Sequence, residues 1–138
     1  MENRKNGEGL FMTGSVVFLP VADLARTRKF YTQVLGLKLA MVQAGGAEIY
    51  DTGCGYWGFC AYGDGRPSLG GPKGVCLSLN CRDRAEVNAR WQEALSRGAE
   101  PVTPPAQHSR FPVYSCFLQD PDGYRVELQV IEEAPSVG

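Results

Sequence analysis

The residues best suited to chemistry in this sequence lie in two segments of its second half. The segment YRVELQV carries Arg125 and Glu127, and the segment VCLSLN carries Cys76 and Ser78. Both segments are predicted strands, and alternate side chains of a strand lie on the same face, so each pair shares one face of a sheet. A carboxylate on such a face would bind a cationic ligand or act as a general base. The alternative is that Glu127 only forms a salt bridge with a neighbour.

Cys76 is the second candidate reactive group, as a nucleophile or a redox thiol. Either role requires a neighbouring base or positive charge that lowers the thiol pKa. The only histidine, His108, lies in the proline-rich stretch PPAQHSRF, and the sequence does not place it beside Cys76. We therefore interpret Cys76 as an inert small residue. The chain has five cysteines and no C-x-x-C pair, which is typical of free thiols in a reducing compartment.

Two aromatic residues, Trp57 and Phe59, lie in the segment YWGFC. They could stack on a planar or cationic ligand. Filling of the core is the alternative, and the sequence leaves both open.

Composition excludes several classes of protein. The chain has 138 residues with 14 basic and 15 acidic side chains, so it offers no positive field for nucleic acid. No apolar run approaches the roughly 20 residues needed to span a bilayer, so no membrane partner is expected. The first 14 residues lack the apolar stretch of a secretory signal, and we therefore expect a cytoplasmic location.

The predicted elements repeat once along the chain, in the order strand, helix, strand, strand, strand. Helices are predicted at 24–35 and 84–97, each with an aspartate at the N-cap, Asp23 and Asp83, and a glycine after the end, Gly36 and Gly98. The predicted strands cover residues 15–21, 37–43, 47–51, 56–62, 74–81, 99–105, 113–119 and 124–131.

The repeat divides the chain into two modules, 15–62 and 74–131. A Gly/Pro-rich linker at 63–73 separates them, and tails are predicted at 1–14 and 132–138. Each module alone is too small for a stable core, so we expect the two to share one structural domain.

Two stretches carry a family resemblance: VADLARTRKFYTQVLGLKL (21–39) and DPDGYRVELQ (120–129). With the repeated element order, they make the chain resemble the vicinal oxygen chelate superfamily, which includes glyoxalases, bleomycin resistance proteins and dioxygenases. The resemblance implies an α+β fold in which two βαβββ modules form a curved mixed sheet that encloses a cup. It also implies a homodimer and, in many members, a divalent metal inside the cup.

The resemblance places one metal ligand on the first strand and one on the last strand of each module, usually His, Glu or Gln. Alignment of Gly55-Tyr56 with Gly123-Tyr124 gives the last-strand positions, and counting seven residues back from Asp23 and Asp83 gives the first-strand positions. The four positions are Val16, Phe59, Cys76 and Glu127. Valine and phenylalanine have no donor atom, so the residues disfavour the usual metal site. We expect no cofactor, although a divalent metal is not excluded.

The predicted cup combines an apolar body with a few polar groups, as small-molecule pockets do. Its candidate ligand-binding residues are Phe18, Trp57, Phe59, Cys76, Ser78, Arg125 and Glu127, and Glu127 is also the candidate catalytic residue. Loop residues His108 and Arg110 could transfer a proton or hold an anion, although a solvated loop is the simpler interpretation.

The sequence therefore favours a metal-free small-molecule-binding protein that sequesters a drug or metabolite, as the resemblance to the bleomycin resistance branch implies. One alternative is a metal-dependent lyase, isomerase or dioxygenase with an atypical site. The other is a non-catalytic regulatory or immunity domain.

Overall fold

A computed structural model of the chain describes residues 14–62 and 74–132. The predicted linker and nearly all of the two predicted tails lie outside these ranges. No helix within the described ranges is long and apolar enough to cross a membrane.

The order of the elements is the predicted one, strand, helix and three strands, occurring twice. The first module contains β1 (Val16–Pro20), α1 (Leu24–Arg28), a π-helical turn (Lys29–Val34), β2 (Lys38–Val42), β3 (Ala47–Asp51) and β4 (Tyr56–Cys60). The second module contains β5 (Cys76–Asn80), α2 (Arg84–Ser96), β6 (Glu100–Gln107), β7 (Val113–Gln119) and β8 (Arg125–Ile131).

Each module forms its own four-stranded mixed sheet. The strand orders are β1-β4-β3-β2 and β5-β8-β7-β6, which are equivalent in the two modules. In each sheet the first and last strands of the module pair in parallel, and the other pairs are antiparallel. The predicted α+β fold of two βαβββ modules is confirmed, and the described strands do not close into a barrel.

The helix ends agree with their sequence signals. The Asp23 carboxylate accepts hydrogen bonds from the backbone N–H groups of Ala25 and Arg26, and that of Asp83 accepts one from Glu86. Gly36 and Gly98, which follow the helices, have φ values of 80° and 93°. A residue with a side chain would be strained in this conformation. The single helix predicted at 24–35 is nevertheless two segments in the structure: α1 ends at Arg28, and the chain continues directly into the π-helical turn.

Strand β6 is longer than the sequence predicts. It runs to Gln107 rather than residue 105, and its pairing with β7 shifts register between Pro101 and Thr103 and between Thr103 and Ala106. Proline cannot donate to a sheet ladder, so a proline-rich strand is tolerated at a sheet edge. Because β6 lies at the edge of its sheet, it extends across these prolines.

The core lies between each sheet and its helix. In the second module the helix-facing side chains of β8, Val126 and Leu128, are almost wholly buried, as the alternation along this strand predicts. They pack in the same core cluster as Val87 and Trp91 of α2. The opposite face of this sheet is therefore left for polar side chains.

The two modules are joined at the turn between β7 and β8, the sequence DPDG. Asp122 Oδ1 accepts hydrogen bonds from the backbone N–H of Ala22 (2.9 Å) and from Arg26 Nη2 (3.0 Å), both in the first module. Tyr124 Oη donates to the carbonyl oxygen of Pro20 at 2.7 Å. This turn thus acts as a clasp between the modules.

Asp120 is the buried centre of the clasp. Its Oδ1 accepts the backbone N–H groups of Asp122 (2.9 Å) and Tyr124 (2.8 Å), and its Oδ2 accepts Tyr31 Oη at 2.7 Å. Burial raises the pKa of Asp120 above its usual value, although these hydrogen bonds to the carboxylate oppose the shift. The carboxylate therefore depends on its donors, one of which comes from the other module.

We expect Tyr31→Phe to lower the free energy of unfolding by about 1–3 kcal/mol near neutral pH, because it leaves a buried carboxylate oxygen without its donor. Without that donor the pKa of Asp120 rises further. The loss of stability should therefore be largest at high pH and shrink at acid pH, where Asp120 is protonated in both proteins. Urea denaturation across pH measures the difference.

Tyr56→Phe is the matched control, since Tyr56 is exposed and lies away from the clasp. It should change stability by no more than about 0.5 kcal/mol. Equal effects of the two substitutions, or a loss in Tyr31→Phe that does not vary with pH, would contradict the role given to this hydrogen bond.

Candidate functional site

The face of the second sheet that carries no helix, here called the open face, brings together the polar residues predicted from the sequence. The ladder between β5 and β8 pairs Cys76 with Arg125, Ser78 with Glu127, and Asn80 with Gln129. The intervening residues Leu77, Val126 and Leu128 are buried on the helix side. Four of the predicted site residues, Cys76, Ser78, Arg125 and Glu127, therefore share one face.

Glu127 is held in place by its neighbours on β5. Ser78 Oγ donates a hydrogen bond to Glu127 Oε1 at 2.5 Å, and Cys76 Sγ lies 3.9 Å from the same oxygen. Next along the face, Gln129 Nε2 donates to Asn80 Oδ1 at 3.0 Å. The carboxylate is thus oriented by one of its two oxygens.

Cys76 is not activated by this environment. Burial raises the pKa of its thiol, and the nearby charge of Glu127 adds to the increase, against the opposing effects of Ser78 and Arg125. A thiol with a raised pKa is protonated at neutral pH, and the protonated form is a poor nucleophile. This supports the interpretation of Cys76 as an inert residue.

The ladders correct the register in which the sequence aligned the two modules. Val16 pairs with Tyr56 in the first sheet, and the equivalent residue Cys76 pairs with Arg125 in the second. Tyr56 therefore corresponds to Arg125, so the equivalent of Glu127 is Gly58, not Phe59.

Different turn lengths explain this error of one residue. Residues 52–55 connect the paired ends of β3 and β4, whereas residues 120–124 connect the paired ends of β7 and β8. The second turn is one residue longer. An alignment of the two Gly-Tyr dipeptides at the turn ends ignores the additional residue.

Trp57 and Phe59 consequently lie on the helix side of the first sheet. Phe59 is fully buried and stacks on Tyr31, with 4.5 Å between the ring centroids, and Trp57 meets Tyr31 edge to face at 6.1 Å. The prediction that these two side chains face the cup is wrong. Both are buried in the core, which was the alternative interpretation of both, and Trp57 also lines a groove between the modules.

Phe18 occupies the space above Gly58 on the open side of the first sheet. A Cβ atom placed on Gly58 would lie 2.5 Å from two ring carbons of Phe18 and 3.2 Å from Val16 Cγ1. Phe18 itself remains half exposed. Apolar side chains therefore fill the position that corresponds to the Glu127 carboxylate of the second sheet.

The corrected positions do not fit a divalent metal. Val16 and Gly58 provide no donor atom, which leaves a protonated thiol at Cys76 and a single carboxylate at Glu127. Zinc sites use three or four N, O or thiolate ligands from the protein, and these positions supply at most two. Within residues 14–62 and 74–132, no group of three or more His, Cys, Asp or Glu side chains is arranged to hold a metal ion.

A groove of about 770 Å³ lies between the modules, where β1 begins and β5 ends, and it reaches the open-face residues Ser78 and Asn80. Trp57 and Ser78 are among the residues that line it, together with apolar residues such as Leu37 and Leu79. Two arginines of α2 reach it, but each already pairs with a glutamate four residues earlier on the helix. Lys38 and Asp51 also line the groove, so it has polar groups of its own beside those that it shares with the open face.

One residue of the open face escaped the sequence analysis. Phe117 of β7 pairs with Glu127 in the ladder, so its half-buried ring lies beside the carboxylate. Strand alternation in VYSCFLQ was the available signal, but only the first and last strands of each module were considered.

The loop residues lie apart from this group. His108 Nδ1 accepts backbone hydrogen bonds from Arg110 (3.0 Å) and Phe111 (3.3 Å). The Arg110 guanidinium lies over the ring of Phe111, 5.3 Å from its centroid. Both side chains therefore order their own loop.

We expect Gly58→Ala to displace the Phe18 ring and to lower the free energy of unfolding by about 1 kcal/mol, because the added methyl group overlaps the ring. In a Phe18→Ala background the same substitution should be close to neutral. Urea denaturation of the two single variants and the double variant gives the coupling.

Gly55→Ala is the control, because a Cβ atom there approaches no atom closer than 3.6 Å. Strictly additive effects of Gly58→Ala and Phe18→Ala would show that Phe18 does not occupy the space above Gly58.

Comparisons with known proteins agree with this architecture. Residues 14–128 match the family model described as the Glyoxalase/Bleomycin resistance protein/Dioxygenase superfamily. A 2,2',3-trihydroxybiphenyl dioxygenase of Sphingomonas paucimobilis is 30% identical over 127 residues, which cover 90% of this chain and 42% of that enzyme. The chain thus spans less than half the length of this relative.

Solved structures show the same fold. A glyoxalase/bleomycin resistance protein/dioxygenase from Nocardioides has a TM-score of 0.71 at 19% identity, over 96% of this chain and 91% of that one. A family enzyme from Burkholderia phytofirmans PsJN has a TM-score of 0.72 at 21% identity, over 85% and 97%. The chain belongs to the glyoxalase/bleomycin resistance protein/dioxygenase superfamily.

Proposed function

We propose that this chain is a metal-independent small-molecule-binding member of the superfamily, which sequesters a drug or metabolite. The proposal depends on one observation: two of the four positions that hold metal ligands in the family carry residues without a donor atom. Val16 and Gly58 offer no ligand atom, and Phe18 covers Gly58. Binding by a homodimer, as in the bleomycin resistance branch, is part of the proposal.

The open face of the second sheet supports the binding part of the proposal. It keeps an oriented carboxylate at Glu127 and a guanidinium at Arg125, with the Asn80–Gln129 amide pair beside them. Groups of this kind fix the orientation of a small organic ligand through hydrogen bonds and need no metal. Glu127 then acts as a binding residue and not as a metal ligand.

A metal-dependent dioxygenase, lyase or isomerase is the second candidate, which the name of the Sphingomonas paucimobilis relative favours. It would require Cys76 and Glu127 to bind a metal together with further ligands. The donor set of the open face supports this candidate less well than it supports simple binding.

Metal uptake separates the two candidates. We expect native mass spectrometry of the full chain to show no stoichiometric metal after incubation with Mn²⁺, Ni²⁺ or Zn²⁺, because the two apolar positions supply no ligands. One metal per chain in the wild type, absent from Glu127→Ala, would overturn the metal-independent proposal. Gln92→Ala, on the exposed surface of α2, is the control.

Turnover gives an independent measurement. With 2,2',3-trihydroxybiphenyl and added Fe²⁺ or Mn²⁺, we expect no oxygen uptake above that of a no-protein control. Sequestration instead predicts that expression of the chain raises resistance to one member of a drug panel while the drug is recovered unchanged. Metal-dependent oxygen uptake that Glu127→Ala abolishes would establish the enzyme candidate.

A further inference from the structure

Two groups of opposite charge on the open face have unsatisfied hydrogen-bonding capacity. Glu127 uses only Oε1, which accepts from Ser78 and Cys76. Among the described residues no hydrogen bond or ion pair engages its Oε2, and none engages the guanidinium of Arg125. Both side chains are half-buried, so each retains a charged group that a ligand can reach.

Arg125 and Glu127 share a face without neutralising each other. They are two residues apart on β8, which separates their Cα atoms by about 6.6 Å along the strand. No ion pair within 4.0 Å joins their charged atoms, and the Glu127 carboxylate instead accepts a hydrogen bond from Ser78 on β5. The face therefore presents a positive and a negative group side by side.

An aromatic ring completes this group of residues. Phe117 lies opposite Glu127 on the neighbouring strand β7, at the strand spacing of about 4.8 Å. Its half-buried ring offers an apolar surface opposite Glu127 and diagonally across the ladder from Arg125. Arg125, Glu127 and Phe117 are thus three different contact points on one face.

The arrangement discriminates against ligands with a single charge. A monoanion that approaches Arg125 also meets the Glu127 carboxylate a few ångströms away, and a monocation at Glu127 meets the Arg125 guanidinium. Each such ligand is repelled by the second group and also leaves it partly desolvated without a partner. A ligand with both charges gains two charge-assisted hydrogen bonds and avoids the repulsion.

We propose that the ligand of the open face is an aromatic zwitterion of the amino-acid type. Its ammonium group donates to Glu127 Oε2, its carboxylate accepts from the Arg125 guanidinium, and its ring packs on Phe117. This inference rests on the proposed binding function and specifies the chemical class of the ligand.

Three matched probes test the charge requirement: L-phenylalanine, phenethylamine, which lacks the carboxylate, and 3-phenylpropanoate, which lacks the ammonium group. Isothermal titration of the full chain should show that L-phenylalanine binds at least tenfold more tightly than either analogue.

Two variants assign the contacts. Glu127→Gln should weaken L-phenylalanine about tenfold and bring its affinity close to that of 3-phenylpropanoate. Arg125→Gln should weaken L-phenylalanine by a similar factor and bring its affinity close to that of phenethylamine. Gln92→Ala on α2 should leave all three affinities unchanged, and thermal melts of each variant check that it is folded.

The outcomes separate the inference from the function beneath it. If L-phenylalanine does not bind, or binds no better than the analogues, while native mass spectrometry shows another organic molecule retained on the chain, the zwitterion is excluded and the binding function stands. If none of the three probes binds and no organic molecule is retained, the zwitterionic ligand and the binding function are both wrong. Loss of L-phenylalanine binding in Glu127→Gln and Arg125→Gln, with Gln92→Ala unchanged, establishes the proposed ligand class.

Discussion

The structure depends on the clasp that the β7–β8 turn forms with the first module. Neither sheet with its short helical segment buries enough apolar surface to be stable alone, so the modules must be held in a fixed relation. Asp120 and Asp122 provide this with carboxylates that accept backbone and side-chain donors from both modules. Because these carboxylates are buried, loss of the only donor to one of their oxygens, such as Tyr31 Oη for Asp120 Oδ2, leaves a buried polar atom unsatisfied, which makes the contact specific as well as stabilising.

This fixed relation supports two sheets that share a ladder pattern but differ in chemistry. Equivalent positions hold Ser78 and Glu127 in the second sheet and Phe18 and Gly58 in the first. One pair forms a hydrogen bond, and the other fills the same volume with a ring. The backbone pattern therefore places the side chains, whereas the side chains alone decide which sheet presents polar groups on its open face.

Local signals in the sequence were sufficient for much of the architecture. The helix caps at Asp23 and Asp83 act within one turn of chain, and they were predicted correctly. The shared face of Arg125 and Glu127 also follows from strand alternation, which needs no knowledge of the partner strand. Such features depend only on nearby residues.

Predictions that compared distant segments were less secure. An alternation of period two means that a register error of one residue moves a side chain to the other face, and the longer β7–β8 turn introduced that error for Phe59. Phe117 was missed because its closeness to Glu127 is set by the pairing of β7 with β8. The extension of β6 past its prolines likewise reflects the position of this strand at the edge of its sheet.

The contact between Phe18 and Gly58 also has an evolutionary consequence. A carboxylate side chain cannot be added at position 58 without meeting the Phe18 ring, so this aromatic side chain would have to become smaller or move first. Shrinking it would uncover the sheet before any compensating ligand had appeared. The order of substitutions is thereby constrained, because a change that adds a carboxylate at position 58 must follow a change at Phe18.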